Sequence, residues 1–198
     1  MRFDPYDRSA AVAYAHRWAY GRNPQYYDYE LLGGDCTNFA SQCLYAGSRV
    51  MDYAPTYGWY YINANRKAPA WTGVVYLFNY LTRDRVAYGP VARDTSIFEL
   101  LPGDIVQLSF DGLRWAHSPV VVSVGEPRSP DNVLVAAHSF DADYRPLSDY
   151  DYHSVRYLHI FGVYKPRFSC YDEKNDTQEA IPWTMNPSRC AMRASTSI

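Results

Sequence analysis

A cysteine at the opening of a helix is the residue in this chain best placed to do covalent chemistry. In Gly33-Gly34-Asp35-Cys36-Thr37-Asn38-Phe39-Ala40-Ser41-Gln42-Cys43-Leu44-Tyr45-Ala46-Gly47, two glycines break the preceding chain, Asp35 is a good N-cap type and Gly47 supplies a stop. Cys36 then falls in the first turn. There the helix dipole and unpaired N–H groups favour thiolate over thiol and can hold a developing oxyanion. Cys43 lies seven residues on, about 10 Å along the same helix, too far to bridge, and reads as core.

A thiol nucleophile needs a base, and the base needs a partner that fixes its tautomer. Of the five histidines, His16 sits in the first helical stretch, and His153 and His159 sit near or on the last strand; all three read as surface or structural residues. His117 and His138 differ. One opens a strand beyond Leu-Pro-Gly-Asp-Ile-Val and the other ends the next strand. If those strands pair antiparallel, both imidazoles reach the same sheet edge, where the cysteine helix can dock. Zinc held by Cys36, His117 and His138 uses legitimate ligand types, but no close pair such as Cys-x-x-Cys or His-x-x-x-His occurs, so no metal or other cofactor is expected. There is no Gly-x-Ser-x-Gly elbow and no Gly-rich phosphate loop.

The elements that must position these groups come in two blocks. Asp4-Pro5 can cap and open a helix over residues 5–21, with Ala11, Tyr14, Ala15 and Trp18 on one face. The cysteine helix follows, then a long loop over 51–70, and a helix over about 71–82 carrying Val74, Leu77, Phe78 and Leu81. Beyond Leu101-Pro102-Gly103-Asp104 the pattern turns to strands at 105–110, 117–124, 133–139 and 156–164, with Asp111-Gly112 as a hairpin turn. Helices first and an antiparallel meander after them make an α+β domain over residues 1–165. Residues 166–198, with Cys170 and Cys190, lose periodicity and read as an irregular tail.

Taken together, Asp-Cys at a helix start, Pro-Gly-Asp-Ile-Val, a strand opening on His and another ending in a polar residue resemble the NlpC/P60 and CHAP papain-like cysteine peptidases and amidases. Residues 34–42, with Trp59-Tyr60-Tyr61-Ile62-Asn63, Ala70-Trp71-Thr72, Trp115-Ala116-His117-Ser118 and Ala137-His138-Ser139, resemble more specifically the putative amidase family of bacterial domains (amidase_6 type). The resemblance spans about residues 5–164. It implies a papain-like (NlpC/P60-type) fold, N-terminal helices packed on an antiparallel β-sheet. It also implies Cys36 as nucleophile, His117 as base and later acid, and His138 orienting His117, with Asp141 as an alternative third residue. Asp35, Asn38, Trp59 and Tyr60 are the expected substrate-binding residues, within and beside a Tyr/Trp loop at 53–61. The implied activity is hydrolysis of an amide through an acyl-enzyme, in bacterial cell-wall peptidoglycan. The alternatives are a silent cell-wall or protein-binding module and an acyltransferase on the same scaffold.

Bulk properties set the remaining bounds. With 198 residues and 47% hydrophobic content, the chain can bury one sizeable core. A net charge of −2 gives no reason to expect nucleic acid or an anionic membrane as partner. The expected partner is a peptide or peptidoglycan fragment met by a monomer. Twenty tyrosines suit either a groove for an extended polar substrate or a Tyr-rich core and surface. Four cysteines in a chain of this size do not form a disulfide framework. The start, Met1-Arg2-Phe3-Asp4-Pro5-Tyr6, has no apolar signal region. As written the chain reads as cytoplasmic, or as an exported cell-wall domain if it is a fragment.

Overall fold

In the computed structural model, which describes residues 1–167 apart from Val86, the first capping residue is Asp7 and not Asp4. Asp4 closes a short strand, β1 (Arg2–Asp4), and Asp7 Oδ1 accepts the Ala10 N–H at 2.9 Å to open α1 (Arg8–Trp18). Its buried face is small, Ala11 and Ala15, so α1 can lie close to the cysteine helix α2 (Cys36–Ser48). Gly47 does not stop α2. The helix runs one residue further and ends on Arg49, which adopts a left-handed φ of 57° with its N–H on Tyr45 O. Gly47 serves close approach instead: a Cβ there would lie 2.3 Å from Tyr6 Cε2 and 2.7 Å from Asp7 O.

Every residue from Cys36 to Leu44 is buried, so α2 is a central helix with no solvent face along that run. Between α2 and the strands, the segment read as loop holds a small hairpin, β2 (Tyr61–Asn63) with β3 (Arg66–Lys67). The helix expected over 71–82 is two pieces, α3 (Pro69–Thr72) and α4 (Val74–Leu81), because Gly73 takes an extended conformation between them.

The strands are β4 (Gly89–Thr95), β5 (Ile105–Ser109), β6 (Val120–Val124), β7 (Val133–Ala137), β8 (Ala142–Pro146) and β9 (Ser154–Lys165). The main sheet has seven strands in the order β1-β9-β5-β6-β7-β8, with β4 also on β9, and every pairing among the described residues is antiparallel. β9 is the spine, holding β4, β5 and β1 along its twelve residues. The β5–β6 contact is narrow: Ile105 pairs with Val120, and an isolated bridge joins Leu108 to His117. The chain between them is a broad loop pinned by Asp111 Oδ1, which accepts the Leu113 and Arg114 N–H groups. Three strands carried no alternation to announce them. β1 and β4 are polar or broken by Pro90, and β8 (Ala142-Asp143-Tyr144-Arg145-Pro146) is set instead by a tight turn with Ser139 and Phe140 at positive φ.

Alternation along the strands sends apolar residues to two cores. Ile105, Val120, Val122, Leu158 and Ile160 pack under the helices with Phe39, Leu44, Trp59 and Trp71. Val106, Leu108, Val121, Val133 and Val135 pack on the other face against Leu100, Leu147 and Tyr150. The molecule is therefore α+β, with a helical layer on one face of an antiparallel sheet and connecting segments closing the other. Residues 1–165 form one compact unit. The reading of 166–198 as a tail, with its two cysteines, lies outside the described residues except at Pro166 and Arg167. No helix among the described residues is long and apolar enough to cross a membrane.

Candidate active site

Cys36 takes the position its sequence context requires, the first residue of α2, but its surroundings are drier than a helix opening suggests. It is 6% exposed, and burial pushes its thiol above the usual range. The Thr37 hydroxyl and the Ser118 and Thr37 backbone N–H groups pull it back only in part. Burial thus opposes the thiolate that a helix terminus was expected to favour. Sγ lies 3.9 Å from the carbonyl oxygen of Ala116 and 3.8 Å from Thr37 Oγ1. That carbonyl places the thiol beside residues 116–118. An open groove lined by Gly33, Val74, Phe110, Asp111, Arg114, Trp115 and Ala116 borders this segment at Ala116.

His117 stands just ahead of β6, held by the Leu108 bridge, and is 4% exposed. Its ring lies 5.5 Å from the Tyr150 ring and 6.3 Å from Phe110. Burial first, and the charge of Arg145 second, lower its pKa to about 4, so it is neutral at pH 7. Its Nε2 is buried with no hydrogen-bond partner. An orphaned ring nitrogen in a dry site is costly and is unusual in a purely structural histidine. Tyr150 borders both groups, because its phenol senses the Cys36 charge and its ring faces His117. The Arg145 guanidinium sits 4.0 Å over the Tyr150 ring and is close enough to draw the phenol's pKa down. Even so, the buried hydroxyl has no partner in hydrogen-bonding geometry. Nothing in the sequence separated Tyr150 from nineteen other tyrosines.

His138 ends β7 at the same edge as His117, as the antiparallel pairing requires, but its ring is engaged elsewhere. Nδ1 is 2.6 Å from Asp35 Oδ2 and Nε2 is 2.8 Å from the Trp18 carbonyl, and the ring stacks on Phe39. Neither nitrogen is left to orient His117. Asp141, the alternative, is taken by Arg22 at 2.9 and 3.0 Å.

The expected substrate residues are mostly structural in placement. Asp35 is 1% exposed and makes no cap bond to its own helix. Its carboxylate accepts from the Tyr29 N–H and Asn38 Nδ2 while pairing with His138. Asn38 completes the knot, donating also to Tyr27 O and accepting from Trp71 Nε1. Trp59 is fully buried, with Nε1 on Ser41 Oγ and its ring against Trp71 and Tyr80. All three are almost wholly buried, and their bonds tie α2 to the segments packed around it. Tyr60 is half-buried beside Tyr53. His16 and His159 pair with Asp143 and Asp104, both at 2.9 Å.

Residues 5–161 match the family described as "Putative amidase domain". The chain belongs to that family. A curated relative, "Uncharacterized protein YhbB" of Bacillus subtilis (strain 168), is 34% identical over 142 residues, which is 71% of this chain and 43% of the relative. The chain thus matches less than half the length of that protein. No solved structure matches. Among the described residues of this amidase-family domain, no group of three or more His, Cys, Asp or Glu side chains is arranged to hold a metal ion.

Proposed function

We propose that this domain is a cysteine amidase of papain-like, NlpC/P60-related type, and that it cleaves amide bonds of bacterial cell-wall peptidoglycan through an acyl-enzyme. The observation that carries the reading is a buried Cys36 thiol on the first turn of α2, 3.9 Å from the carbonyl oxygen of Ala116, whose next residue is His117, neutral, buried and with an Nε2 that has no partner. A neutral imidazole with a free ring nitrogen can accept a proton, and a thiol needs to lose one. Both groups start uncharged in the free protein, so proton transfer accompanies attack once substrate has drawn them together.

Cys36 Sγ attacks the amide carbon as its proton passes to His117. The tetrahedral oxyanion faces first-turn N–H groups of α2 and the Tyr150 hydroxyl, a neutral donor because burial raises its pKa. His117 then returns the proton to the leaving amine, and the C–N bond breaks to leave a thioester. Water, deprotonated by the same imidazole, releases the acid and restores the thiol. His138 and Asp35 support this chemistry from below by fixing where α2 begins.

Incubation with purified peptidoglycan and mass analysis of the fragments tests the proposal. Free carboxyl and amine products are expected, with none from Cys36→Ala and a loss of roughly two to four orders of magnitude in His117→Ala. Products in which an added amine replaces water identify an acyltransferase. Unchanged turnover in Cys36→Ala rejects the mechanism.

A further inference from the structure

Three polar groups come together around Tyr150 without satisfying one another. The Tyr150 hydroxyl and His117 Nε2 are buried, neither has a hydrogen-bond partner, and their rings lie 5.5 Å apart. The third group is Arg145, half-buried on β8, with its guanidinium 4.0 Å over the Tyr150 ring. Its Nη2 donates to the Asp149 carbonyl at 2.7 Å. Among the described residues, Nε and Nη1 have no acceptor in hydrogen-bonding geometry and the charge has no carboxylate to pair with. Other arginines differ: Arg22 holds Asp141 at 2.9 Å and Arg114 holds Asp111 at 3.2 Å.

What this corner lacks is an acceptor. A phenol and a guanidinium donate, and a neutral imidazole can do either. The ligand that complements them is an anion with two oxygens to meet the guanidinium fork, and peptides carry that group as a carboxylate, at the C-terminus and on acidic side chains. We propose that Arg145 is a specificity residue that takes a free carboxylate of the substrate, carried within a residue or two of the amide that Cys36 attacks. The inference rests on Cys36 as the nucleophile of a peptide amidase and adds which amides that enzyme selects. Tyr150 makes the link between the two sites, because its phenol feels the charges of both Arg145 and Cys36.

Filling the site also changes the base. After burial, Arg145 is the second cause of the low His117 pKa of about 4. An anion on the guanidinium offsets that charge and lets the imidazole take a proton more readily. A substrate without the carboxylate leaves His117 the weaker base, so the selection is expressed in kcat as well as in KM.

The first test needs no substrate. On the full chain at pH 7, Cys36 is labelled with iodoacetate and, separately, with iodoacetamide, and peptide mapping confirms the labelled residue. One reagent carries a carboxylate where the other carries an amide, so the ratio of their rates reads anion recognition apart from the reactivity of sulfur. Arg145→Met is expected to lower the iodoacetate-to-iodoacetamide ratio about tenfold. Arg145→Lys keeps the charge without the fork and is expected to lower it by less, which keeps the test decisive if Arg145→Met fails to fold. An unchanged ratio, an equal fall in Arg114→Met, or a Cys36 inert to both reagents overturns the inference. Stem peptides of peptidoglycan then locate the carboxylate. Amidating the C-terminal carboxyl or, separately, an acidic side chain is expected to slow cleavage by the parent and not by Arg145→Met, and whichever does so names the source. Cleavage indifferent to both amidations overturns the assignment. A ratio that falls in a protein that cleaves no amide keeps the anion site and rejects the amidase.

Discussion

His138 illustrates how far a residue's position and its work can diverge. Its place at the end of β7 is legible in the sequence, because Ala137-His138-Ser139 follows an apolar run that must pair with β6. Its bonds are not, because they depend on where Trp18 and Asp35 arrive from other parts of the chain. The ring is held from two sides, by the Asp35 carboxylate and the Trp18 carbonyl at the end of α1. Breaking such a buried pair leaves a polar group without its partner, so Asp35→Asn and His138→Asn are each expected to cost roughly 1–3 kcal/mol. In a double-mutant cycle by urea unfolding, the two should couple by about 1–3 kcal/mol. Additive losses, or a His138→Asn variant that loses rate while keeping full stability, return His138 to the role of orienting His117. The proposed pair, Cys36 and His117, is picked out by residue type and spacing. Tyr150 and Arg145 are not, since they reach the site from a turn and a strand with no pattern of their own.

Among the elements, those with strong periodicity appear where the sequence puts them: α1, α2, β5, β6, β7 and β9, with ends shifted by a few residues. The failures have specific causes. Gly73 splits one helix in two, polar β8 is created by its turn, and β1 and β4 exist because β9 offers them an edge. Gly47 is the instructive case, since a glycine near a helix end reads as a terminator but here lies inside α2 for want of space. Gly47→Ala improves helix propensity by about 1 kcal/mol. The added methyl nevertheless meets Tyr6 and the backbone of Asp7. Overpacking against backbone is expected to win, giving a net loss of roughly 1–2 kcal/mol in thermal or urea unfolding, and a more stable variant would show that α1 and α2 can slide apart.

For the molecule as a whole, the α+β class and the order of its two blocks were readable from hydrophobic period alone, whereas the dryness of the site was not. That dryness makes folding depend on pH. His117 is protonated near pH 6.5 when unfolded and only near pH 4 when folded, because burial and then Arg145 oppose its charge. Between those values the unfolded chain holds the extra proton, so stability is full above about pH 6.5 and falls as pH drops towards 4, by roughly 3 kcal/mol. Urea midpoints at pH 7 and pH 4.5 should differ less in His117→Gln than in the parent, and identical differences reject the assignment. The long β9 strand has a separate consequence. It sets Lys165 directly across from Arg2, so the chain enters and leaves the compact unit at neighbouring points of one sheet edge. A unit with adjoining entry and exit can be spliced into a surface loop of a host protein without prising that loop apart. By the same geometry, its own ends can be joined by a short linker and the chain reopened at an exposed turn such as 111–114, with the sheet order preserved.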